Sequence, residues 1–311
     1  MSLEVPTATV VVNPTAGRGK AGRALPKVLR ELLLGMPGVS LRVHQATSYD
    51  EARLRCIDAV ESARPGSYGG RRDSLIVMGG DGMMHLGLNA AGGTTVPIGV
   101  VPAGTGNDFA RGVGVPTNPV AAARVVAAGA TVRMDLMQVE GRLAGGASRR
   151  YVGSVVSTGY DALVNRRANA LSMPLGSIAY AYAALAELAG FEPLRYRLVL
   201  DGVPRRQTAM LVGVANSGIF GGGMRIAPSY SITDGLLDVT IIHPVSRATL
   251  LRLLPAMFDG SFVRDPAVER VKVQRVEIDG DDLYGMADGE ALGPVPLTCS
   301  AQADALTVYV P

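Results

Sequence analysis

The sequence of 311 residues predicts an α/β protein, with an N-terminal parallel-sheet domain followed by a C-terminal antiparallel β-sandwich domain. Three observations support this prediction. Strand and helix patterns alternate over the first third of the chain, strand patterns follow one another closely over the rest, and glycine-rich segments follow three of the first four strands. Alternation is typical of a parallel sheet covered by helices, whereas close succession of strands is typical of antiparallel sheets.

The N-terminal domain is predicted to contain four parallel strands with helices between them. Its first strand is a continuous β-branched run, as expected when both faces of a strand are buried. Leucine and valine at helical spacing predict a helix from Lys20 to Leu34. Ser48, three residues before Glu51, forms the capping-box pattern of a helix that ends at Ala63. The predicted strands are Thr7–Asn13, Ser40–Ala46, Ser74–Met78 and Val96–Val101.

From about Val132 onward the patterns indicate an antiparallel β domain, because strands occur largely without intervening helices. We assign residues 1–132 to the first domain and 133–302 to the second, and a last strand within 303–311 could return to the first. The predicted strands are Val132–Glu140, Tyr151–Ser157, Leu194–Leu200, Ala209–Ala215, Leu236–Ile242, Val268–Ile278 and Leu306–Val310, with helices over Ser177–Ala189 and Ser246–Phe258.

Composition and charge exclude several classes of protein. An apolar share of 48% and a charged share of 18% indicate a globular chain, and a net charge of +3 does not indicate nucleic-acid binding. The two cysteines and three histidines are scattered, so neither a disulfide scaffold nor a Cys/His metal site is predicted. No signal peptide is recognised, and the uncharged stretch 168–186 contains Pro174 and polar residues, which favours a buried helix over a membrane span. We expect a soluble, cytoplasmic protein.

The strongest candidate site is the turn Gly79-Gly80-Asp81-Gly82, directly after the third predicted strand. Glycines let a ligand approach the backbone N–H groups closely, and the start of the next helix adds a partial positive charge. These features favour a phosphate group. An exposed acid at such a site would hold Mg²⁺ or polarise a hydroxyl. The alternative interpretation is a tight turn with an aspartate cap.

A second glycine-rich loop follows the fourth predicted strand. It runs Pro102-Ala103-Gly104-Thr105-Gly106-Asn107-Asp108-Phe109-Ala110-Arg111. Its glycines and Thr105 could bind phosphate, and Asn107 or Asp108 could cap the helix that follows. Arg111 lies about one helical turn past Asp108 and could point at a ligand or at solvent. Two such loops at the carboxyl edge of one sheet predict a nucleotide site there.

A third glycine-rich segment, Asn13 to Gly22, follows the first strand and contains G-x-G-x-x-G. Four residues separate the strand from Gly17, and no acid ends the second strand, so a Rossmann fingerprint is not indicated. The segment is not a Walker A loop, because Ala21 stands where a serine or threonine is needed.

Taken in order, these motifs resemble the diacylglycerol kinase catalytic-domain family, which includes sphingosine kinases and soluble bacterial lipid kinases. The resemblance extends over nearly the whole chain. The matching segments are Asn13-Pro14 with Gly17, Gly79 to Gly82, Gly104 to Arg111, Ser157 to Ala162, Gly222 to Pro228, Asp234 to Val239, and Asp288-Gly289-Glu290.

The resemblance implies a lipid kinase that uses ATP and Mg²⁺ to phosphorylate the free hydroxyl of diacylglycerol, giving phosphatidic acid. It implies that the first domain binds ATP, that the β-sandwich binds lipid, and that the active site lies in the cleft between them. It also implies peripheral contact with the inner face of the membrane, and it leaves a homodimer open as the assembly state.

The resemblance further implies roles for individual residues. Asp288 and Glu290 match the acidic pair linked to proton abstraction from the lipid hydroxyl, and Asp81 is the third catalytic candidate. A structural Mg²⁺ site is implied at Ser231, Asp234 and Leu236, the first and last through their backbone carbonyls. The implied nucleotide contacts are Asn13, Pro14, Gly17, Gly79, Gly80, Asp81, Gly82, Gly104, Thr105, Asn107 and Arg111.

Asp288 and Glu290 are separated by one glycine, so in an extended segment both carboxylates would point to the same side. A lipid hydroxyl needs a positioned base, and we expect Asp288 to be that base, with Glu290 orienting it or joining the metal network. The alternative is a β-turn with solvated acids.

Two positions depart from the family's pattern. The turn usually continues with a threonine, and a glutamate follows three residues later, whereas this chain has Met83 and Leu86. Either backbone groups and Thr105 hold the phosphates, or ATP binding is weakened. A degenerate, non-catalytic lipid-binding module is therefore one alternative, and a sphingoid-base or other lipid kinase and an NAD kinase are others. The Asn13-Pro14 opening and the Asp288 segment favour the lipid branch, and no G-x-S-x-G indicates a serine hydrolase.

Overall fold

The computed structural model describes residues 5–64, 71–159, 192–288 and 290–311. The chain divides into two compact units, the first comprising Met1–Leu136 and Ala303–Pro311 and the second Met137–Gln302. The predicted helix at 177–189 and the uncharged stretch 168–186 lie outside the described residues. Among the helices within the described ranges, none is long and apolar enough to cross a bilayer.

The first unit is built from strands that alternate with helices. Its strands are β1 Thr7–Val12, β2 Ser40–Gln45, β3 Ser74–Gly79 and β4 Ile98–Pro102, joined by the beginning of β5 Thr131–Gly141 and the end of β18 Leu297–Tyr309. Its helices are α1 Ala16–Gly35, α2 Tyr49–Glu61, α3 Asp81–Ala91, α4 Asp108–Gly112 and α5 Pro119–Ala128. All four strands predicted for this domain are therefore confirmed.

The sheet of the first unit is parallel, with the strand order β2-β1-β3-β4, and β18 adds beside β4 through Val308 opposite Ile98. The chain passes from β1 to β2 on one side and then to β3 on the other, so the direction of winding reverses between β1 and β3. In open α/β sheets such a reversal leaves a crevice outside the carboxyl ends of the strands, where ligands bind.

The core of this unit lies where α1 and α5 cover one face of the sheet. Val10 of β1 and Met78 of β3 pack there with Leu25 and Leu32 of α1 and Val126 of α5. β3 is buried along its whole length, which is why its sequence is a continuous apolar run rather than an alternating one. The strands are therefore rigidly held, and the loops at their carboxyl ends start from fixed positions.

The capping box predicted at α2 is present on its serine side. Ser48 Oγ accepts a hydrogen bond of 3.1 Å from the backbone N–H of Glu51. The Glu51 carboxylate accepts from the backbone N–H of Thr47 at 2.9 Å, one residue earlier than the standard pattern. The helix begins as predicted.

The second unit is antiparallel. Its strands, after the end of β5, are β6 Arg149–Val152, β7 Val155–Gly159, β8 Leu194–Leu200, β9 Val203–Ala209, β10 Leu211–Ala215, β11 Ile219–Phe220, β12 Met224–Arg225, β13 Leu237–Ile242, β14 Val268–Val273, β15 Arg275–Gly280, β16 Tyr284–Ala287 and β17 Glu290–Pro294, followed by the beginning of β18. Its described helices are α6 Arg247–Asp259 and the 3-10 turns Ala144–Gly146 and Ser261–Arg264.

Two sheets of this unit share one apolar core, which confirms the predicted β-sandwich. One sheet has the order β14-β13-β10-β7-β16-β17, and the other includes the neighbours β18-β15-β8-β9. Val156, Val214 and Val239 of the first sheet lie in the same buried cluster as Leu198 and Ile278 of the second. Outside this core, α6 packs through its own buried residues in a second apolar cluster.

Two of the predicted strands are each divided in the structure into a pair of strands, and the members of each pair belong to different sheets. The segment Tyr151–Ser157 breaks between β6 and β7, and the segment Val268–Ile278 breaks between β14 and β15. At the second break the carboxylate of Asp201 accepts hydrogen bonds from the backbone N–H groups of Gln274 at 3.0 Å and Arg275 at 2.8 Å. The break is held by a residue distant in sequence, so the local apolar pattern does not reveal it. Strands β9, β11, β12 and β17 were also not predicted.

Candidate functional site

The three glycine-rich loops lie together at one edge of the parallel sheet. The strands that they follow, β1, β3 and β4, are neighbours, with Val12 opposite Met78 and Gly79 opposite Pro102. In chain order, the first loop (13–22) follows β1, the second (79–82) follows β3 and the third (102–111) follows β4. The first and second loops leave the sheet on either side of the point where the winding reverses, and the third leaves beside the second. Their meeting follows from the parallel sheet, because the carboxyl ends of parallel strands share one edge.

Glycine is required where these loops touch. A Cβ on Gly104 would lie 2.4 Å from the Cα of Gly80, and a Cβ on Gly17 would lie 2.1 Å from the carbonyl oxygen of Ala103. Gly17 also has a φ of 58°, in the left-handed region that disfavours other residues. The three loops therefore pack backbone against backbone, which leaves their polar main-chain groups close together.

Asp81 lies at the first residue of α3 and joins two of these loops. Its Oδ2 accepts a hydrogen bond of 2.8 Å from the backbone N–H of Asn107, and its Oδ1 accepts one of 2.7 Å from the backbone N–H of Asp108. The expectation that Asp81 is exposed was wrong, because the side chain is half-buried beneath the loop that it holds. Gly106 permits this contact, since a Cβ there would lie 2.6 Å from Asp81 Oδ2.

The environment of Asp81 changes its acidity. Burial raises the pKa of its carboxyl group above the usual value, and the backbone N–H donors of residues 107 and 108 oppose that rise without cancelling it. A carboxylate with these donors is fixed in one orientation. It can therefore position the 104–108 loop and still present its remaining lone pairs to a ligand.

The third loop, at 102–111, closes on itself through Asn107. Asn107 Oδ1 accepts a hydrogen bond of 2.9 Å from the N–H of Gly104, and its Nδ2 donates one of 3.0 Å to the Gly104 carbonyl. Asn107 occupies the N-cap position of α4 with a φ of 57°, but its side chain does not cap the helix. The Asp81 carboxylate takes that role, as an acceptor from outside the helix. Thr105, at the tip of the loop, is exposed and available to a ligand.

Exposed cations border these loops. Arg111 Nε donates to the carbonyl of Gly106 at 3.2 Å, which keeps its guanidinium beside the loop. In the first loop, Arg18, Lys20 and Arg23 are exposed around the start of α1. Sequence reasoning did not assign Arg18, Lys20 or Arg23 to the site, although basic residues interleaved with the glycines at 17, 19 and 22 were the available signal. Cations and backbone N–H groups together form a surface suited to phosphate.

Asn13 orders the beginning of the first loop. Its Oδ1 accepts hydrogen bonds from the backbone N–H of Thr15 at 3.1 Å and from the Thr15 hydroxyl at 2.7 Å. Gly17, Arg18 and Gly19 then adopt left-handed backbone angles before the regular part of α1. Pro14, which lies in the chain between Asn13 and this left-handed segment, is half-buried. The loop is thus an ordered turn held by its own hydrogen bonds rather than an extension of the helix.

Met83 and Leu86, the two departures from the family's pattern, are buried in α3. A Cβ on Gly79 would lie 2.5 Å from the Cγ of Met83, so the methionine side chain packs directly against the end of β3. The hydroxyl and the carboxylate that the family places here are replaced by core contacts. A phosphate at this turn would therefore have to be held by backbone groups and by the other loops.

The two acids of the second unit lie at the hairpin that joins β16 to β17. Asp288 follows β16 with a φ of 50°, Glu290 begins β17, and Ala287 pairs with Glu290 across the hairpin. The expectation that Asp288 and Glu290 share one extended segment was wrong, because Asp-Gly favours a two-residue hairpin turn. Both side chains are half-buried rather than solvated. Gly289 lies outside the described residues.

At the implied metal site at 231–236, the carboxylate of Asp234 is paired with a cation from the protein itself. Asp234 Oδ2 accepts a hydrogen bond of 2.7 Å from Lys272 Nζ, and Asp234 Oδ1 accepts one of 3.2 Å from the N–H of Leu236. Ser231 Oγ accepts from the N–H of Thr233 at 3.3 Å. Magnesium requires a carboxylate free to coordinate it, so this donor set does not fit the ion as it stands. Nowhere in the described ranges do three or more His, Cys, Asp or Glu side chains group as metal ligands.

The sequence matches known proteins in both halves. Residues 7–139 match the family described as the diacylglycerol kinase catalytic domain, and residues 154–310 match the YegS C-terminal NAD kinase beta sandwich-like domain. A diacylglycerol kinase of Mycobacterium tuberculosis is 37% identical over 312 residues, covering 99% of this chain and 96% of that protein. A diacylglycerol kinase of Bacillus subtilis is 27% identical, covering 93% and 91% of the two chains.

Solved structures show the same fold. A putative diacylglycerol kinase from Bacillus anthracis covers 99% of this chain and 98% of its own, with a TM-score of 0.76 and 20% identity. Yeast NADH kinase complexed with NADH covers 98% of this chain and 83% of its own, with a TM-score of 0.51 and 12% identity. The full-length sequence match to the mycobacterial protein, on a fold with three interlocked glycine-rich loops, shows that the chain belongs to the diacylglycerol kinase family of lipid kinases.

Proposed function

We propose that this lipid kinase transfers the γ-phosphoryl group of ATP, in the presence of Mg²⁺, to the free hydroxyl of diacylglycerol. The observation that carries the proposal is the junction of three glycine-rich loops at the reversal point of the parallel sheet, with Asp81 holding two of them. Family membership implies a nucleotide substrate, and this junction is the part of the first unit best suited to its phosphates.

The phosphate side of the proposed site has the groups that a nucleotide needs. Backbone N–H groups of the loops around Gly80 and Gly104 would donate hydrogen bonds to phosphate oxygens, and Thr105 would add a hydroxyl. The exposed Arg111, with the cations around the start of α1, offsets the negative charge of the triphosphate. Mg²⁺ would enter with the nucleotide and neutralise charge that develops on the transferred phosphoryl group.

The proton of the lipid hydroxyl needs a base, and Asp288 is the proposed one. The left-handed backbone of Asp288 at the hairpin turn fixes the direction in which its side chain leaves the main chain. The half-buried position of Asp288 shields its carboxylate from bulk water. The hydroxyl proton passes to Asp288 as the hydroxyl oxygen bonds to the γ-phosphorus, and the bond from that phosphorus to the bridging oxygen of ADP breaks. Glu290, on the other side of the turn, is proposed to orient the base.

Diacylglycerol is proposed as the substrate because the relatives that match over nearly their whole length are named diacylglycerol kinases. Other relatives are named probable lipid kinase YegS-like, which keeps a different lipid hydroxyl as the second candidate. Either lipid resides in a bilayer, so the proposal includes peripheral contact between the protein and a membrane surface.

The decisive experiment offers the purified chain labelled ATP, Mg²⁺ and a panel of lipids in mixed micelles. The panel contains diacylglycerol, monoacylglycerol, phosphatidylglycerol and a sphingoid base, and each labelled product is identified by mass spectrometry. Labelled phosphatidic acid as the main product supports the proposal. If another lipid gives the main labelled product, that lipid takes the place of diacylglycerol as the proposed substrate.

A matched variant separates catalysis from binding. Asp288→Asn keeps the size and the turn preference of the side chain and removes the base. Loss of turnover with retained ATP binding supports the assigned role. Absence of labelled product from every lipid, in a wild-type protein that binds ATP, would instead favour the non-catalytic lipid-binding alternative.

A further inference from the structure

An ammonium group pairs with the carboxylate of Asp234, the acid at which the family resemblance implies a metal ion. Lys272 Nζ lies 2.7 Å from Asp234 Oδ2 and 3.3 Å from Asp238 Oδ2, so one lysine bridges two carboxylates. Asp238 is buried and Lys272 is partly exposed. A buried carboxylate is stable only when a positive charge or several hydrogen bonds compensate it.

A second cation completes the group. Arg270 Nη2 lies 3.2 Å from Asp238 Oδ1. β13 and β14 pair so that Lys272 stands opposite Asp238 and Arg270 opposite Thr240. Residues two apart in a strand share one face, so both cations lie on the face of the sheet that carries Asp238. Two acids and two bases give the cluster a formal charge of zero.

This cluster leaves little reason for a divalent cation to bind. Mg²⁺ needs oxygen ligands at about 2.0–2.1 Å in octahedral geometry, and it is usually attracted by uncompensated carboxylates. Asp234 supplies the only carboxylate of the implied set, and Lys272 already neutralises it. A magnesium ion there would have to displace the ammonium group or lie beside two protein cations.

We propose that the ammonium group of Lys272 takes the place of a divalent cation at Asp234 and Asp238, so that the second unit has no resident magnesium ion there. A tethered cation does not exchange with solvent, so the turn at 231–236 keeps its shape when divalent ions are absent. Lys272 has this role whether or not the chain phosphorylates diacylglycerol.

The test measures metal binding on the full chain without nucleotide or lipid. Protein stripped with EDTA is titrated with Mn²⁺ as the probe, and free Mn²⁺ is followed by electron paramagnetic resonance. Wild type and Asp234→Asn should bind Mn²⁺ equally, because Asp234 takes no part in binding it. Stoichiometric Mn²⁺ in wild type that Asp234→Asn removes would overturn the proposal.

Removing the lysine charge tests the replacement directly. Lys272→Met should gain a Mn²⁺ site that the double variant Lys272→Met with Asp234→Asn lacks, and Mg²⁺ should raise its melting temperature by about 2–4 °C. Arg252→Met is the matched control, since it breaks the ion pair between Arg252 and Asp265 of the same unit and should gain no site. A folded Lys272→Met that binds no additional Mn²⁺ would also contradict the proposal, and if that variant does not fold, the comparison of wild type with Asp234→Asn decides alone.

Discussion

The Oδ1 atom of Asp81 accepts a hydrogen bond of 2.7 Å from the backbone N–H of Asp108, 27 residues further along the chain. The other carboxylate oxygen accepts from the backbone N–H of Asn107 at 2.8 Å. One side chain at the start of α3 therefore fixes both the end of the 104–107 loop and the start of α4. A residue proposed for catalysis is at the same time the link between two glycine-rich loops.

We expect Asp81→Ala to abolish phosphoryl transfer and to lower the free energy of unfolding by about 2–3 kcal/mol, because two buried backbone N–H groups lose their acceptors. Asp81→Asn keeps one carbonyl oxygen as an acceptor, so its cost in stability should be nearer to about 1 kcal/mol. Urea unfolding measures the stability, and labelled phosphoryl transfer measures the activity.

The control for Asp81 is Asp50→Ala, which removes an exposed acid from the first turn of α2. It should change the free energy of unfolding by only about 0.5 kcal/mol. Near-normal turnover by a folded Asp81→Ala protein would remove Asp81 from the proposed site.

Gly17→Ala tests the contact between the first and third loops. The new Cβ would meet the carbonyl oxygen of Ala103 at 2.1 Å, so the loops must separate. We expect a loss of about 3 kcal/mol in the free energy of unfolding and at least a roughly tenfold weaker affinity for nucleotide. Gly38→Ala is matched, because Gly38 also has a positive φ, of 77°, but open space around its Cβ position. It should cost about 1 kcal/mol. Equal losses for the two variants, measured by thermal unfolding and nucleotide titration, would contradict the close contact.

Asp288→Asn and Glu290→Gln distinguish the two acids of the hairpin. We expect Asp288→Asn to lower kcat by about 10²–10⁴-fold with little change in the KM for ATP, because a general base contributes about this much. Glu290→Gln should have a smaller effect, since Glu290 is proposed only to orient the base. The reverse order of effects would exchange their roles, and if both variants stay active the proton goes elsewhere, with Asp81 the next candidate.

Asp73 makes the stability of the first unit depend on acid pH. Burial by itself would raise its pKa, but the Arg64 guanidinium, with the backbone N–H groups of Arg64 and Thr7, lowers the pKa of Asp73 to about 2. The ordinary pKa of 3.8 in the unfolded chain is higher, so the unfolded state binds the proton first as the pH falls. The contribution, about 2 kcal/mol, is full above about pH 4 and is lost as the pH falls to about 2.

Urea unfolding at successive pH values over this window measures that loss. Asp73→Asn should be less stable than wild type at neutral pH, and the difference between the two should shrink as the pH falls. Asp50→Asn, at an exposed site, should follow the wild-type curve. Parallel curves for wild type and Asp73→Asn would show that the ion pair with Arg64 does not stabilise the fold.

The sequence by itself determined the fold class and the location of the three glycine-rich loops. The continuous apolar run of β3 and the alternation of strands with helices are local patterns, and burial of both faces of a strand depends on residues next to one another in the chain. Glycines at 79, 80 and 104 directly follow strands, so their position at one edge follows once the sheet is parallel.

Only the tertiary structure decided which side chains are partners. Asp81 bonds to Asn107 across 26 residues, and Lys272 pairs with Asp234 across 38. The break between β14 and β15 depends likewise on Asp201, far away in the chain. Local periodicity specifies which face of an element is buried, but it does not specify which element packs against that face. The partner of each carboxylate was therefore decided by packing.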